Sequence, residues 1–92
     1  MSKSLIISAR AKKNLAVIMN NIADYTKSPS SVSKLAKDFS HKFAQIASFP
    51  KACPSLSDGT RQTFCRRYRI VYRESEHHIE IITVVHSLQK YP

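Results

Sequence analysis

Five of the six arginines, Arg61, Arg66, Arg67, Arg69 and Arg73, fall within thirteen residues. A guanidinium offers a planar fork of donors that grips phosphates or carboxylates and stacks on bases. The cluster therefore marks a working surface. Arginines that hold a scissile phosphodiester and stabilise its developing charge need only a histidine or tyrosine to move a proton, and His86 and Tyr91 lie beyond the last apolar run. Plainer readings stand beside this one. Single arginines could pair with Glu74, Glu76 or Glu80, or lay their stems over a sheet, and His86 could be a satisfied histidine at a strand end.

Other chemistries are poorly furnished. His77 and His78 are adjacent, His41 and His86 are isolated, and neither Cys-x-x-Cys nor His-x-x-x-His spacing occurs, so no metal site is expected. No local motif couples Cys53 or Cys65 to a histidine as a nucleophile pair, and small buried cysteines are common. A single glycine, Gly59, excludes a glycine-rich phosphate loop. The reading implies no cofactor.

These groups sit on a chain of 92 residues with 15 Lys and Arg against 6 Asp and Glu, a net charge of +9. At this size roughly 60–65% of the unfolded surface is buried, which suits one domain over residues 1–92 and excludes a nucleotide-binding domain with its own substrate domain. The charge excess points to an anionic partner: nucleic acid, a membrane surface or an acidic protein, with a merely soluble surface as the alternative. Apolar runs such as Leu5–Ile7 and Ile81–Val85 are far short of the roughly 20 residues that span a bilayer. Met1-Ser2-Lys3-Ser4-Leu5 lacks the apolar core of a signal peptide, so a cytoplasmic protein with reduced thiols and no membrane partner is expected.

The elements that must position the arginines follow from periodicity. Leu5-Ile6-Ile7 between serines predicts a short buried strand over Lys3–Ser8, after which Ser8 caps a helix. Ala11, Leu15, Ile18, Met19, Ile22 and Tyr25 trace one helical stripe, with Lys12, Lys13, Asn14, Asn20 and Asn21 mostly off it. Thr26-Lys27-Ser28-Pro29-Ser30 breaks the pattern, and Val32, Leu35, Phe39, Phe43, Ile46 and Phe49 predict a second, antiparallel helix ending before Pro50. Lys34, Lys37, His41 and Lys42 decorate its flanks as a solvated face.

From Pro50 to Gly59 the chain reads as a loop. Thr60–Cys65 is β-compatible, and Tyr68, Ile70 and Tyr72 alternate with Arg69, Val71 and Arg73, giving one aromatic and apolar face and one largely basic face. After a turn at Ser75–His78, the run Ile79–His86 is apolar on both faces, as a central strand is. The cations are thus sorted: seven of nine lysines precede residue 43, on the helical half, while the arginines crowd the strands.

The chain resembles the RelE/ParE superfamily of bacterial type II toxin–antitoxin toxins over nearly its whole length. The resemblance rests on Leu5-Ile6-Ile7-Ser8 with Ala11, Leu15 and Ile18, and on Phe49-Pro50 closing the hairpin. It continues through Gly59-x-Arg61, through Arg67-Tyr68-Arg69-Ile70-Val71-Tyr72-Arg73, and through Ile79-x-Ile81-Ile82-x-Val84-x-His86-Ser87. It implies an α+β fold: an N-terminal strand, an antiparallel helical hairpin, then a mostly antiparallel three-stranded meander completing one twisted sheet. It also implies a small cognate antitoxin that wraps and neutralises the toxin, an acidic or amphipathic segment fitting the arginine-rich strands, with Arg66 and Arg67 assigned to it.

Functions within the superfamily diverge. RelE-like members cut mRNA in the ribosomal A site without a metal, whereas ParE-like members poison DNA gyrase and block replication. Arg69 matches the strand arginine that binds the scissile phosphate in the RelE-like branch, and Arg61 falls near a lysine position on the preceding strand. The second catalytic arginine is absent, since Ser87-Leu88-Gln89 occupies its stretch and Lys90 is the nearest cation. Val84-Val85-His86-Ser87 looks more like the ParE branch, although Ser87-Leu88 departs from the arginine usual there. A ParE-like gyrase inhibitor is the leading expectation, with Arg61, Arg69, Arg73, His86, Lys90 and Tyr91 as catalytic or target-binding residues. A RelE-like ribosome-dependent endoribonuclease acting on mRNA through Arg69, Arg61 and His86 is the alternative, and a degenerate member that only binds antitoxin is a third.

Overall fold

The computed structural model describes residues 4–53 and 55–87. Strand β1 (Ser4–Ile7) leads into helices α1 (Ala9–Thr26) and α2 (Pro29–Ser48), a 3-10 turn at Pro50–Ala52, and strands β2 (Arg61–Cys65), β3 (Tyr68–Glu74) and β4 (His78–His86). The four strands form one sheet in the order β1-β4-β3-β2, with β1 parallel to β4 and the other pairs antiparallel. This is the α+β arrangement that the sequence predicts. Among the described residues no helix is long and apolar enough to cross a membrane.

Ser8 makes the first corner. Its Oγ accepts from the Ala11 N–H at 3.0 Å as the N-cap of α1 and donates to the Ile82 carbonyl at 2.8 Å, tying the helix start to β4. Lys27 ends α1 in the left-handed region, φ 52°, with its N–H on the Ala23 carbonyl. Ser28 then caps α2, whose first residue is Pro29, a position where the missing N–H costs nothing.

The core lies between the helices and one face of the sheet. Leu35, Phe39, Phe43 and Ile46 of α2 and Ala11 and Ile18 of α1 meet Ile70, Tyr72, Ile79, Ile81 and Val84. Two residues of the helical stripes leave that core. Tyr25, in the last turn of α1, is 90% exposed, and Phe49 is 69% exposed because it is the non-helical C-cap of α2, with φ −135° and ψ 61°. The stripe ends where helical geometry ends.

The pairing of β3 with β4 shifts register between Val71 and Tyr72. Beside this bulge Asn14 of α1 accepts from the fully buried Thr83 hydroxyl at 2.7 Å and from the Val84 N–H at 3.1 Å. Bulges leave ladder groups without strand partners. Here a helix amide supplies one. Half-buried Asn14 thus has a structural role that its place off the apolar stripe did not suggest.

Candidate functional site

The two-residue turn Arg66-Arg67 sets the register of β2 on β3: Cys65 faces Tyr68, Thr63 faces Ile70 and Arg61 faces Tyr72. Residues directly opposite share a face, and successive residues alternate. Tyr68, Ile70 and Tyr72 belong to the helix-side core, so Arg61, Thr63 and Cys65 point to the same side. Arg69, opposite Phe64 and Val85, and Arg73, opposite Glu80, point to the other. Between them Val71 is fully buried.

Arg69 is engaged by its own chain. Its guanidinium lies 5.9 Å from the Phe64 ring centroid, and Nη2 donates to the Ser87 carbonyl at 3.3 Å. Its Nε is buried without a hydrogen-bond partner. The Ser87 N–H in turn donates to the Arg67 carbonyl at 2.7 Å, so the residue that follows β4 is held through both its N–H and its carbonyl.

Arg61 sits on the opposite face and closes a loop. Nη1 donates to the Cys53 carbonyl at 2.6 Å, while the hydroxyl of its cross-strand neighbour Tyr72 donates to the Pro50 carbonyl at 2.7 Å. Burial, reinforced by Cys53, pushes the Tyr72 phenol well above its ordinary 10.0. The side chains together hold the 3-10 turn against the sheet. Upstream of β2, Asp58 accepts from the Thr60 hydroxyl at 2.6 Å and from its N–H at 3.1 Å. These bonds, the hydroxyl's foremost, hold the Asp58 carboxyl below its ordinary 3.8, with Arg73 adding a smaller effect of the same sign. Gly59 between them takes φ 86°, which glycine adopts without a Cβ penalty.

His86 is opposite Tyr68, and the two rings meet edge-on at 5.9 Å between centroids. With Lys13, Asn21 and Val17 of α1 it lines a cavity of about 450 Å³ on the helix side. The structure therefore brings Arg69 to Ser87 and His86 to Tyr68, and it does not bring Arg61, Arg69 and His86 around one point. Arg73 lines a hollow of about 140 Å³ on the open face with Ile6, His78 and Glu80.

Arg66 adopts φ 55° at the first position of its turn and pairs with Asp38 of α2, Nε to Oδ2 2.6 Å, both side chains 47% exposed. Arg67 is exposed. Lys90 and Tyr91 lie outside the described residues. Both cysteines are free thiols; Cys65 is buried, and that burial first, Asp38 second, pushes its thiol above the ordinary 9.0. Among the described residues no group of three or more His, Cys, Asp or Glu side chains could hold a metal ion. Sequence reasoning missed Asn14, Phe64 and Ser87. Phe64 had a signal, an aromatic in a strand beside the arginines, whereas Ser87 contributes only backbone groups, its N–H and its carbonyl, which no residue type announces.

Against known proteins, the family described as ParE toxin of type II toxin-antitoxin system, parDE, matches residues 5–91. No curated protein matches the sequence. Among solved structures, a chain of the chromosomal ParDE system from P. aeruginosa superposes with TM-score 0.79 at 17% identity, covering 92% of this chain and 96% of that one. A chain of the toxin–antitoxin complex RelBE2 from Mycobacterium tuberculosis gives 0.63 at 18% identity, covering 94% and 99%. At these identities the likeness to either structure is one of fold.

Proposed function

The chain belongs to the ParE toxin family of type II toxin–antitoxin systems, and on that premise we propose that it arrests growth by inhibiting DNA gyrase in the cytoplasm and is neutralised by a cognate antitoxin. Inhibition would proceed by binding, with no bond made or broken by the toxin. The arginine-bearing strands and the end of β4 are the surface offered to these partners. Solved relatives of the same fold come from ParDE and RelBE systems, which supports a protein antitoxin as the partner.

The observation that carries this reading over the nuclease is the separation of the cations. Holding a scissile phosphate and stabilising its developing charge requires donors that converge within hydrogen-bond reach of one group. Arg61 instead binds the Cys53 carbonyl on the helix side, while Arg69 reaches Ser87 on the open side. His86 faces Tyr68.

The test is a supercoiling assay with purified gyrase and toxin, run beside an mRNA cleavage assay on translating ribosomes. Loss of supercoiling that antitoxin reverses is the expected result. Cleaved mRNA with supercoiling untouched would transfer the chain to the endoribonuclease reading. Absence of both effects from folded protein would leave the antitoxin-binding, non-toxic member.

A further inference from the structure

Helix α1 and the end of β4 enclose the cavity of about 450 Å³ on which His86 borders. Its floor is apolar, with buried Ile18 and Val84. No aspartate or glutamate lines it, whereas Lys13, Asn14 and Asn21 all bring N–H donors. Asn14 is held in one orientation. The Val84 N–H can only donate, so the amide atom 3.1 Å from it is the oxygen, which also accepts from Thr83. The Nδ2 is then on the other side of the amide, and no group among the described residues accepts from it. A preset donor thus stands in the wall of the cavity that Asn14 lines.

From the mouth of the cavity a ridge continues along α1. Lys13, Val17, Asn21 and Tyr25 recur every four residues, a spacing that sets them in one row roughly 18 Å long. Lys13 and Asn21 are exposed, Val17 is 49% exposed and Tyr25 almost wholly so. Asp24, the one acidic residue of α1, stands at the far end of the row and lines no part of the cavity. Tyrosine is a favoured anchor at protein interfaces. Here it shares a helix row with an apolar valine and a donor-lined cavity, and the core uses neither Val17 nor Tyr25.

We propose that this cavity is where the toxin grips gyrase, by taking up a carboxylate side chain of the enzyme while Val17 and Tyr25 pack on apolar residues beside it. The proposal rests on the reading of the chain as a gyrase inhibitor and names the site of that contact. Lys13 supplies the charge, and Asn14 and Asn21 supply hydrogen bonds, which are strengthened when the acceptor is ionised. A protein carboxylate fits this lining better than DNA does. A duplex carries one charge about every 1.7 Å and is held by many cations, whereas the row offers a single lysine followed by valine, asparagine and tyrosine. A second copy of this chain would bring another net charge of +9 against Lys13.

The experiment titrates supercoiling by purified gyrase with wild-type toxin, Asn14→Asp, Lys13→Glu and Lys12→Glu, each shown to be folded by its thermal transition. Asn14→Asp keeps an acceptor for Thr83 and Val84 and turns an oxygen toward the cavity in place of Nδ2; Lys13→Glu reverses the charge at the mouth. Each is expected to raise the toxin concentration for half inhibition at least tenfold. Lys12→Glu makes the same charge change at an exposed position outside the cavity and is expected to alter it less than twofold. In a mixture of toxin, gyrase and DNA, p-benzoylphenylalanine placed singly at Val17 or Tyr25 is expected to capture an acidic gyrase peptide. Unaltered inhibition by Lys13→Glu, an equal loss in Lys12→Glu, or crosslinks from both positions to DNA alone each overturns the cavity assignment. Wild-type toxin that leaves supercoiling untouched overturns the gyrase reading itself, which separates the two failures.

Discussion

Arg69 reaches across the end of β4 and donates through Nη2 to the carbonyl of Ser87, 3.3 Å away, while its guanidinium lies over Phe64. A side chain that reads in the sequence as a phosphate ligand is thereby spent on fixing the point from which residues 88–92 continue. Sequence reasoning alone separates the two toxin mechanisms by Arg69→Ala, expected to abolish nuclease toxicity and to spare a gyrase effect carried by the tail. The bond to Ser87 alters that expectation, because loss of Arg69 also removes one of the two hydrogen bonds that hold Ser87.

Arg69→Ala is expected to lower stability by about 1–2 kcal/mol, the charge-assisted bond and the cation–π contact being partly offset by removal of the unpartnered Nε. Urea denaturation measures this. A double-mutant cycle with Phe64→Ala should show a coupling of about 0.5–1 kcal/mol. Zero coupling would mean that the stacked geometry contributes nothing.

Asp58 gives the pH dependence a sign. Its carboxyl is held below the ordinary 3.8 in the folded state, so its contribution to stability is complete above that value and is lost as pH falls through the lower folded value. Thermal midpoints recorded from pH 6 downward should therefore drop more for the wild-type chain than for Asp58→Asn below about pH 4. Parallel curves would remove Asp58 as a source of the acid sensitivity.

How far the sequence foretold this molecule is clearest on β3. Tyr68, Ile70 and Tyr72 alternate with Arg69, Val71 and Arg73, and because strand period is two, that alternation alone sorts the arginines from the core. The two-sided apolar run of β4 likewise announces a central strand, and Ser8 and Pro29 mark helix starts by residue type. Arg61 was beyond this kind of reading. Whether it shares a face with Arg69 depends on the register across the Arg66-Arg67 turn, and one residue of slip would reverse the answer. Asn14 was hidden for a related reason: its partners are created by the bulge, and local spacing does not reveal an irregularity between distant strands. Tyr25 and Phe49 fit the helical period, but period does not say where the partner surface stops.

Replacing Asn14 by Leu is expected to cost about 2–3 kcal/mol, because it strands the Thr83 hydroxyl and the Val84 N–H, both dependent on the same Oδ1. Asn14→Asp keeps the acceptor and should retain most of the stability. Chemical denaturation of the pair of variants distinguishes a hydrogen-bonding role from simple packing, since both substitutions keep a side chain of similar size.

Arg61 provides the sharpest separation between a structural and a reactive cation. It binds the Cys53 carbonyl while Tyr72 binds that of Pro50, so the two side chains share the task of holding one turn. Arg61→Ala should cost about 1–3 kcal/mol through the lost charge-assisted bond, and Tyr72→Phe about 1 kcal/mol through the lost hydroxyl bond. Their combined effect should depart from the sum because both act on the same segment. If Arg61 serves only this turn, gyrase inhibition per folded Arg61→Ala molecule stays at the wild-type level at a temperature where the variant is fully folded. An inhibition defect in folded Arg61→Ala, restored by Arg61→Lys, would instead show that a cation at this edge meets the target directly.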